Sequence, residues 1–133
     1  MRHFTPAEAN AELEHVRPLV EQLVTTRQEH ANTLERQEEL EQKIRGNGGG
    51  IPPAELAQAT AEVDAVARRL ARLVDEITAH GAQVKDLDSG LIDFPALHHG
   101  ETVLLCWQLG EDEIAWWHRV DDGFAGRRPL PLD

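Results

Sequence analysis

The chain has no tyrosine, one cysteine, one methionine and three phenylalanines in 133 residues, and its basic groups are outnumbered by acidic ones. A single thiol, Cys106, cannot close an internal disulfide, which fits a reducing compartment and leads us to expect a cytoplasmic protein. No apolar run approaches the roughly 20 residues that span a bilayer, and residues 1–6 lack the apolar core of a signal peptide. Thirteen Lys and Arg stand against 24 Asp and Glu, a formal charge of −11 with histidines neutral. The deficit is uniform: 6 basic and 12 acidic groups in residues 1–66, then 7 and 12 in residues 67–133. With no basic half, neither a nucleic-acid backbone nor an anionic membrane surface is expected as partner. The length fits one core, hence a single domain over 1–133.

What is present first is helical periodicity. In Thr5, Pro6, Ala7, Glu8 the threonine can cap free backbone N–H groups, the proline suits the first helical position, and the glutamate completes a capping box. From there to Arg45 only Pro18 interrupts. Leu13, Val16, Val20 and Leu23 recur on one face, then apolar residues thin to Ala31, Leu34, Leu40 and Ile44. This predicts one amphipathic helix about 60 Å long, or two meeting at a kink near Pro18. Gly46 to Gly50 must end it, and Pro52 and Pro53 restart a helix that runs to about His80 before Gly81. Its seam of Leu56, Ala59, Val63, Val66, Leu70, Leu73 and Ile77 alternates spacings of three and four, a heptad pattern that needs an apolar partner. The preceding helix, antiparallel across a turn at 46–52, is that partner. The second helix is shorter, so residues 6–17 are left to pack on whatever follows residue 80. The outer faces of this 1–80 hairpin invite a second copy, so a homodimer forming a four-helix bundle is expected.

Residues 81–133 differ in character: all three tryptophans, Cys106 and two phenylalanines fall there. Strands are predicted at 91–95, 102–109 and 114–120, separated by turns at Gly100 and Gly110, with Pro95 tolerated only at a strand end or sheet edge. The tail from Gly123 to Asp133 should be extended, clasping the sheet or reaching a neighbour. The predicted class is α+β: a long antiparallel two-helix hairpin, a small three-stranded antiparallel sheet and an extended C-terminal tail.

The runs Gly90, Leu91, Ile92, Asp93, Phe94, Pro95, then Leu105, Cys106, Trp107, then Gly110, Glu111, Trp117, His118 and Gly126, Arg127 form a pattern with the opening Phe4, Thr5, Glu8, Ala9, Asn10. Over nearly the whole chain this resembles a family catalogued as a domain of unknown function, number twenty-two-zero-three. The resemblance implies a bacterial, intracellular protein. It points to Asp93, Cys106, Trp107, Glu111, Trp117, His118 and Arg127 as the motif's residues without giving them roles.

Cys106, His118, Asp93 and Glu111 are the residue types that bind a divalent transition metal, although none lies in a familiar ligand spacing. Strand register decides. If a tight turn pairs Gly110 with Glu113, Cys106 faces Trp117 and His118 points to the opposite sheet face. With a bulge shifting the ladder by one, Cys106 faces His118 directly. The reading favoured over the metal is a buried apolar cysteine and a histidine bonded to a neighbouring carboxylate or carbonyl. Glu12 with His15, and the pair His98 and His99, are read as solvated rather than metal-binding. Trp107, Trp116 and Trp117 are candidates for ligand or partner contact, adjacent Trp116 and Trp117 necessarily pointing to opposite faces. Arg127 is a candidate anion clamp, with Asp121, Asp122 or Glu111 as internal partners instead. Lys85 and Asp86 read as solvated. Cys106 inside Val103, Leu104, Leu105 should have a raised pKa, unsuited to a nucleophile unless a metal or cation lies beside it.

The preferred reading is a non-catalytic, self-associating interaction module, with helices for dimerisation and the Trp-rich sheet for a protein partner. The alternative is a metal-binding protein or metalloenzyme at Cys106, His118, Asp93 and Glu111. The third is a small-molecule sensor with a Trp-lined pocket.

Overall fold

A computed structural model describes residues 1–47 and 50–133; of the predicted turn at 46–52, residues 48 and 49 lie outside the described residues. Helix α1 spans Pro6–Asn47, 42 residues running through Pro18 without a break, and α2 spans Pro53–Ala79. The capping box forms as its sequence requires: Thr5 N donates to Glu8 Oε1 at 2.9 Å, and Glu8 N donates to Thr5 Oγ1 at 3.1 Å. Cross-helix pairs Arg36 with Glu62, Arg69 with Glu29 and His80 with Glu12 run in opposite chain directions, so the hairpin is antiparallel. Along α2, the seam residues Ala59, Val66, Leu73 and Ile77 are buried, and Leu56, Val63 and Leu70 are half-buried. No helix is long and apolar enough to cross a membrane among the described residues.

The sheet has five strands rather than the three expected: β1 (Gln83–Asp86), β2 (Leu91–His98), β3 (Glu101–Gln108), β4 (Trp116–Arg119) and β5 (Arg128–Pro129), antiparallel neighbours in chain order. β1 and β5 are too short to carry an alternating pattern, so nothing in their composition announces them. Pro95 sits mid-strand, beyond the last β1 pairing at Asp93, so its missing N–H faces an unpaired edge. Its carbonyl there accepts from Phe4 N at 2.7 Å.

One sheet face presents Ile92, Phe94, Ala96, Val103, Leu105, Trp107 and Trp117 to the helices. They pack with Ala9, Leu13, Val16, Val20 and Leu23 of α1 and with Leu73 and Ile77 of α2 to make the core. The first turns of α1, left over by the shorter α2, thus cover the sheet. Asn10 fixes the docking: its Oδ1 accepts from Ile114 N at 2.7 Å and its Nδ2 donates to Ile114 O at 3.3 Å. Arg17 donates to Asp112 O at 2.6 Å. Asn10→Ala strips both partners from a buried backbone position and is expected to cost about 1–3 kcal/mol, read as a shift in denaturant midpoint.

Those same contacts explain why the register differs from both expectations. The turn at Gly110, closed by Glu111 N donating to Gln108 O at 3.0 Å, does not pair Gly110 with Glu113; it opens a longer loop, residues 109–115, held by Asn10 and Arg17 of α1. Within it, Trp107 Nε1 donates to Glu111 O at 3.0 Å and Gln108 N donates to Glu111 Oε1 at 2.7 Å. The ladder then places Leu104 opposite His118 and Cys106 opposite Trp116. Cys106 faces neither Trp117 nor His118, yet it shares a sheet face with His118, one diagonal step away.

Candidate metal centre

That outer face, turned away from the helices, carries Asp93 on β2, Cys106 opposite it on β3, and His118 on β4. All three are buried, with relative exposures of 2 %, 1 % and 4 %. One donor atom of each lies within 4.8 Å of the other two. His118 Nε2 is 3.2 Å from Asp93 Oδ1. His118 Nδ1 is 2.8 Å from Arg119 O, and a carbonyl only accepts, so Nδ1 carries a proton and donates. An ionised Asp93 oxygen also only accepts, so the 3.2 Å contact with Nε2 is a hydrogen bond only with a proton on one of the two atoms. A metal ion would replace that proton, the Nε2 lone pair being aimed by the Nδ1 bond to the carbonyl. This is how metal-binding histidines are oriented by a backbone carbonyl. A first-row ion held at about 2.0–2.3 Å would separate its donors by about 3.5 Å. With its donors within 4.8 Å of one another, the cluster has to contract by at most about 1.3 Å to reach that spacing.

The thiol is in an environment hostile to its anion. Burial, then the negative charge of Asp93, pushes the Cys106 thiol up from 9.0 to about 12, against a smaller opposing pull from Arg127. An unaided cysteine nucleophile would need the reverse shift, and both imidazole nitrogens are already engaged elsewhere. The shift has a stability consequence. Between pH 9 and 12 the unfolded thiol has lost its proton while the folded one holds it, so raising the pH across that window favours unfolding. Cys106→Ala is expected to flatten this part of the pH–stability curve, measured by urea denaturation. At pH 8 the folded thiol should alkylate far more slowly than the unfolded one.

Glu111 does not join the cluster. Its carboxylate accepts from Arg127 Nη2 at both oxygens, 2.8 and 2.9 Å, besides the Gln108 N–H. Arg127 is thereby held between the loop and the tail, its guanidinium 5.1 Å from the Trp116 ring centroid and 4.6 Å from that of Phe124. Its Nη2 also stands 3.5 Å from Cys106 O. The tail makes this return through a single 3-10 turn, Phe124–Gly126. Gly123 enters it at φ +65, and a Cβ on Gly126 would collide with Asp122 Cβ, so both glycines are structurally required.

The tryptophans do not wall one pocket: Trp107 and Trp117 are buried on the helix face, and Trp116 is half-buried on the outer face beside Arg127. Arg128 lies over Trp117, 5.3 Å from its centroid. His98 and His99 both contact Asp133, and Glu12 Oε1 is 2.6 Å from His80 Nδ1 rather than paired with His15. Lys85, which reads as solvated in the sequence, is exposed, and its place beside the cluster is what the sequence does not suggest. Lys85 occupies a bulge in β1, between Val84 opposite Ile92 and Asp86 opposite Leu91, and lines a cavity of about 130 Å³ together with Asp93 and His118.

No curated protein and no solved structure shows a significant match to the chain. The match that does exist runs over residues 2–130, from before the capping box to the end of β5, and so takes in the whole fold and all three clustered donors; the chain belongs to the family described as uncharacterized conserved protein (DUF2203).

Proposed function

We propose that the protein binds one divalent transition-metal ion through Asp93, Cys106 and His118. The observation that carries this reading is the convergence of three buried donors, from three adjacent strands, within 4.8 Å of one another. A carboxylate, a thiol and an imidazole gathered in a dry environment are expensive to keep as they are; an ion that deprotonates the thiol and neutralises both anions removes that cost. A sulfur, a nitrogen and an oxygen donor suit zinc, cobalt, iron or copper, not magnesium or calcium. Supporting the reading further, the Arg119 carbonyl orients the imidazole, and Arg127, anchored by Glu111, brings positive charge to the strand carrying the thiol. Elemental analysis of the purified protein and titration of the stripped protein with Co²⁺ test it. One metal per chain is expected, with an intense thiolate-to-cobalt absorption band that Cys106→Ala removes. Substoichiometric metal and no such band would end the reading.

Self-association through the far end of the hairpin is a second reading. It is favoured by Leu34 and Ile44, large apolar residues of α1 that are 36 % exposed, and by the incompletely covered Leu56 and Val63 of α2. Sedimentation equilibrium should give a dimer that Leu34→Glu with Ile44→Glu converts to a monomer. A monomeric unsubstituted chain would discard it.

A further inference from the structure

The metal reading implies a fourth coordination position, because three protein donors do not close a tetrahedral shell. In structural sites the protein supplies all four donors; in reactive ones the last position opens on a cavity. Here Asp93 and His118 form part of the wall of the 130 Å³ cavity on the outer sheet face. Leu91, Leu104 and Val120 also line it, as does Phe124, 46 % exposed and brought over by the turn at Gly123. Lys85 stands in the same wall.

The placement of Lys85 is specific. In β1 the residue after Val84 would pair with Leu91 if the ladder were regular, but Asp86 takes that partner and Lys85 is the extra residue. Alternation with Gln83 already puts Lys85 on the outer face; the bulge gives its partner Leu91 to Asp86 and leaves Lys85 outside the ladder, its exposed side chain at the rim of the cavity. The charges then balance in one way. A divalent ion with a thiolate, a carboxylate and a neutral imidazole has no net charge, so the centre alone does not select an anion. Adding the Lys85 ammonium leaves one positive charge, which a single negative charge on the fourth ligand would neutralise. The rest of the lining is apolar, and the space holds only a few heavy atoms.

We infer that the cavity admits a small monocarboxylate to the open coordination position of the metal, its charge balanced by Lys85 and its short apolar portion against Leu91, Leu104 and Phe124. This inference rests on the metal reading proposed above and adds to it a ligand class and a residue that touches that ligand. No bond within the ligand is made or broken in this step; the carboxylate displaces a water from the metal.

The test uses the full chain loaded with Co²⁺, with butyrate as the ligand probe and azide as a linear monoanion for comparison. Addition of either is expected to shift the visible ligand-field bands while the thiolate-to-cobalt band persists, with butyrate acting at lower concentration. Lys85→Ala should weaken both anions about tenfold, and Lys85→Glu should abolish the response, with cobalt stoichiometry unchanged. Bound cobalt with bands unmoved by either anion overturns this inference and leaves the metal site standing. Shifts of equal size in the unsubstituted chain and Lys85→Glu also overturn it, because the anion would then bind without the cavity's cation. Failure to bind cobalt at all overturns the metal reading itself, and this inference falls with it.

Discussion

Replacing His118 with alanine is expected to lower metal affinity by more than a hundredfold while the chain remains folded. Loss of an outer partner that merely orients a ligand already costs about 10- to 100-fold, so removing a donor from a three-donor site costs more. The fold should survive because His118 projects from the sheet face opposite the main core, and its strand stays paired to β3 and β5. Asp93→Ala and Cys106→Ala are expected to have effects of similar or greater size, the thiolate being the strongest donor. The same centre should respond steeply to acid. Metal binding must displace the proton of a thiol whose pKa is pushed up to about 12, so at neutral pH this proton alone weakens apparent affinity about tenfold for each unit the pH falls. Competition against a chelator of known affinity, repeated at several pH values, measures both effects. A pH-independent affinity would mean that the thiol is not a ligand.

The largest stability effect is expected at Trp107. Its indole is fully buried against the helices, and its Nε1 holds the Glu111 carbonyl that shapes the loop between β3 and β4. Trp107→Ala should cost about 3–5 kcal/mol, or roughly a 15 °C fall in Tm, read by calorimetry. Trp116→Ala, on the half-buried outer face, should cost about 1 kcal/mol despite the identical side-chain change. Because the Trp107 loop sets which β4 residue opposes Cys106, Trp107→Ala should also weaken metal binding from a position that touches no donor. Equal Tm shifts for the two tryptophans would contradict the assignment of faces.

These two positions also mark where the sequence is readable and where it is not. The capping box at Thr5 and Glu8 and the three–four spacing of the α2 seam are local patterns, set by residues a few positions apart, and they appear as read. The unequal helix lengths go further, since they leave the first turns of α1 to the sheet. The register of β4 is different in kind. It depends on Asn10 and Arg17 gripping a loop about a hundred residues away, and no turn preference near Gly110 contains that information. The donor types of Asp93, Cys106 and His118 are visible in the sequence; their shared face is a product of that register. Glu111 has the same chemistry as Asp93 on paper, and only the tertiary position of Arg127 separates an ion-paired carboxylate from one left in the cluster. Lys85 is exposed, as the sequence reading has it, and only its place beside the cavity is hidden: β1 is four residues long, and a bulge inside so short a strand has no compositional signature.

The most direct test of the proposed metal centre is X-ray absorption spectroscopy at the zinc edge on the zinc-loaded protein. One sulfur at about 2.3 Å with nitrogen and oxygen scatterers at about 2.0–2.1 Å, the sulfur shell vanishing in Cys106→Ala, is the predicted result. A shell of nitrogen and oxygen alone, unchanged by that substitution, would contradict it and place any bound zinc elsewhere on the acidic surface.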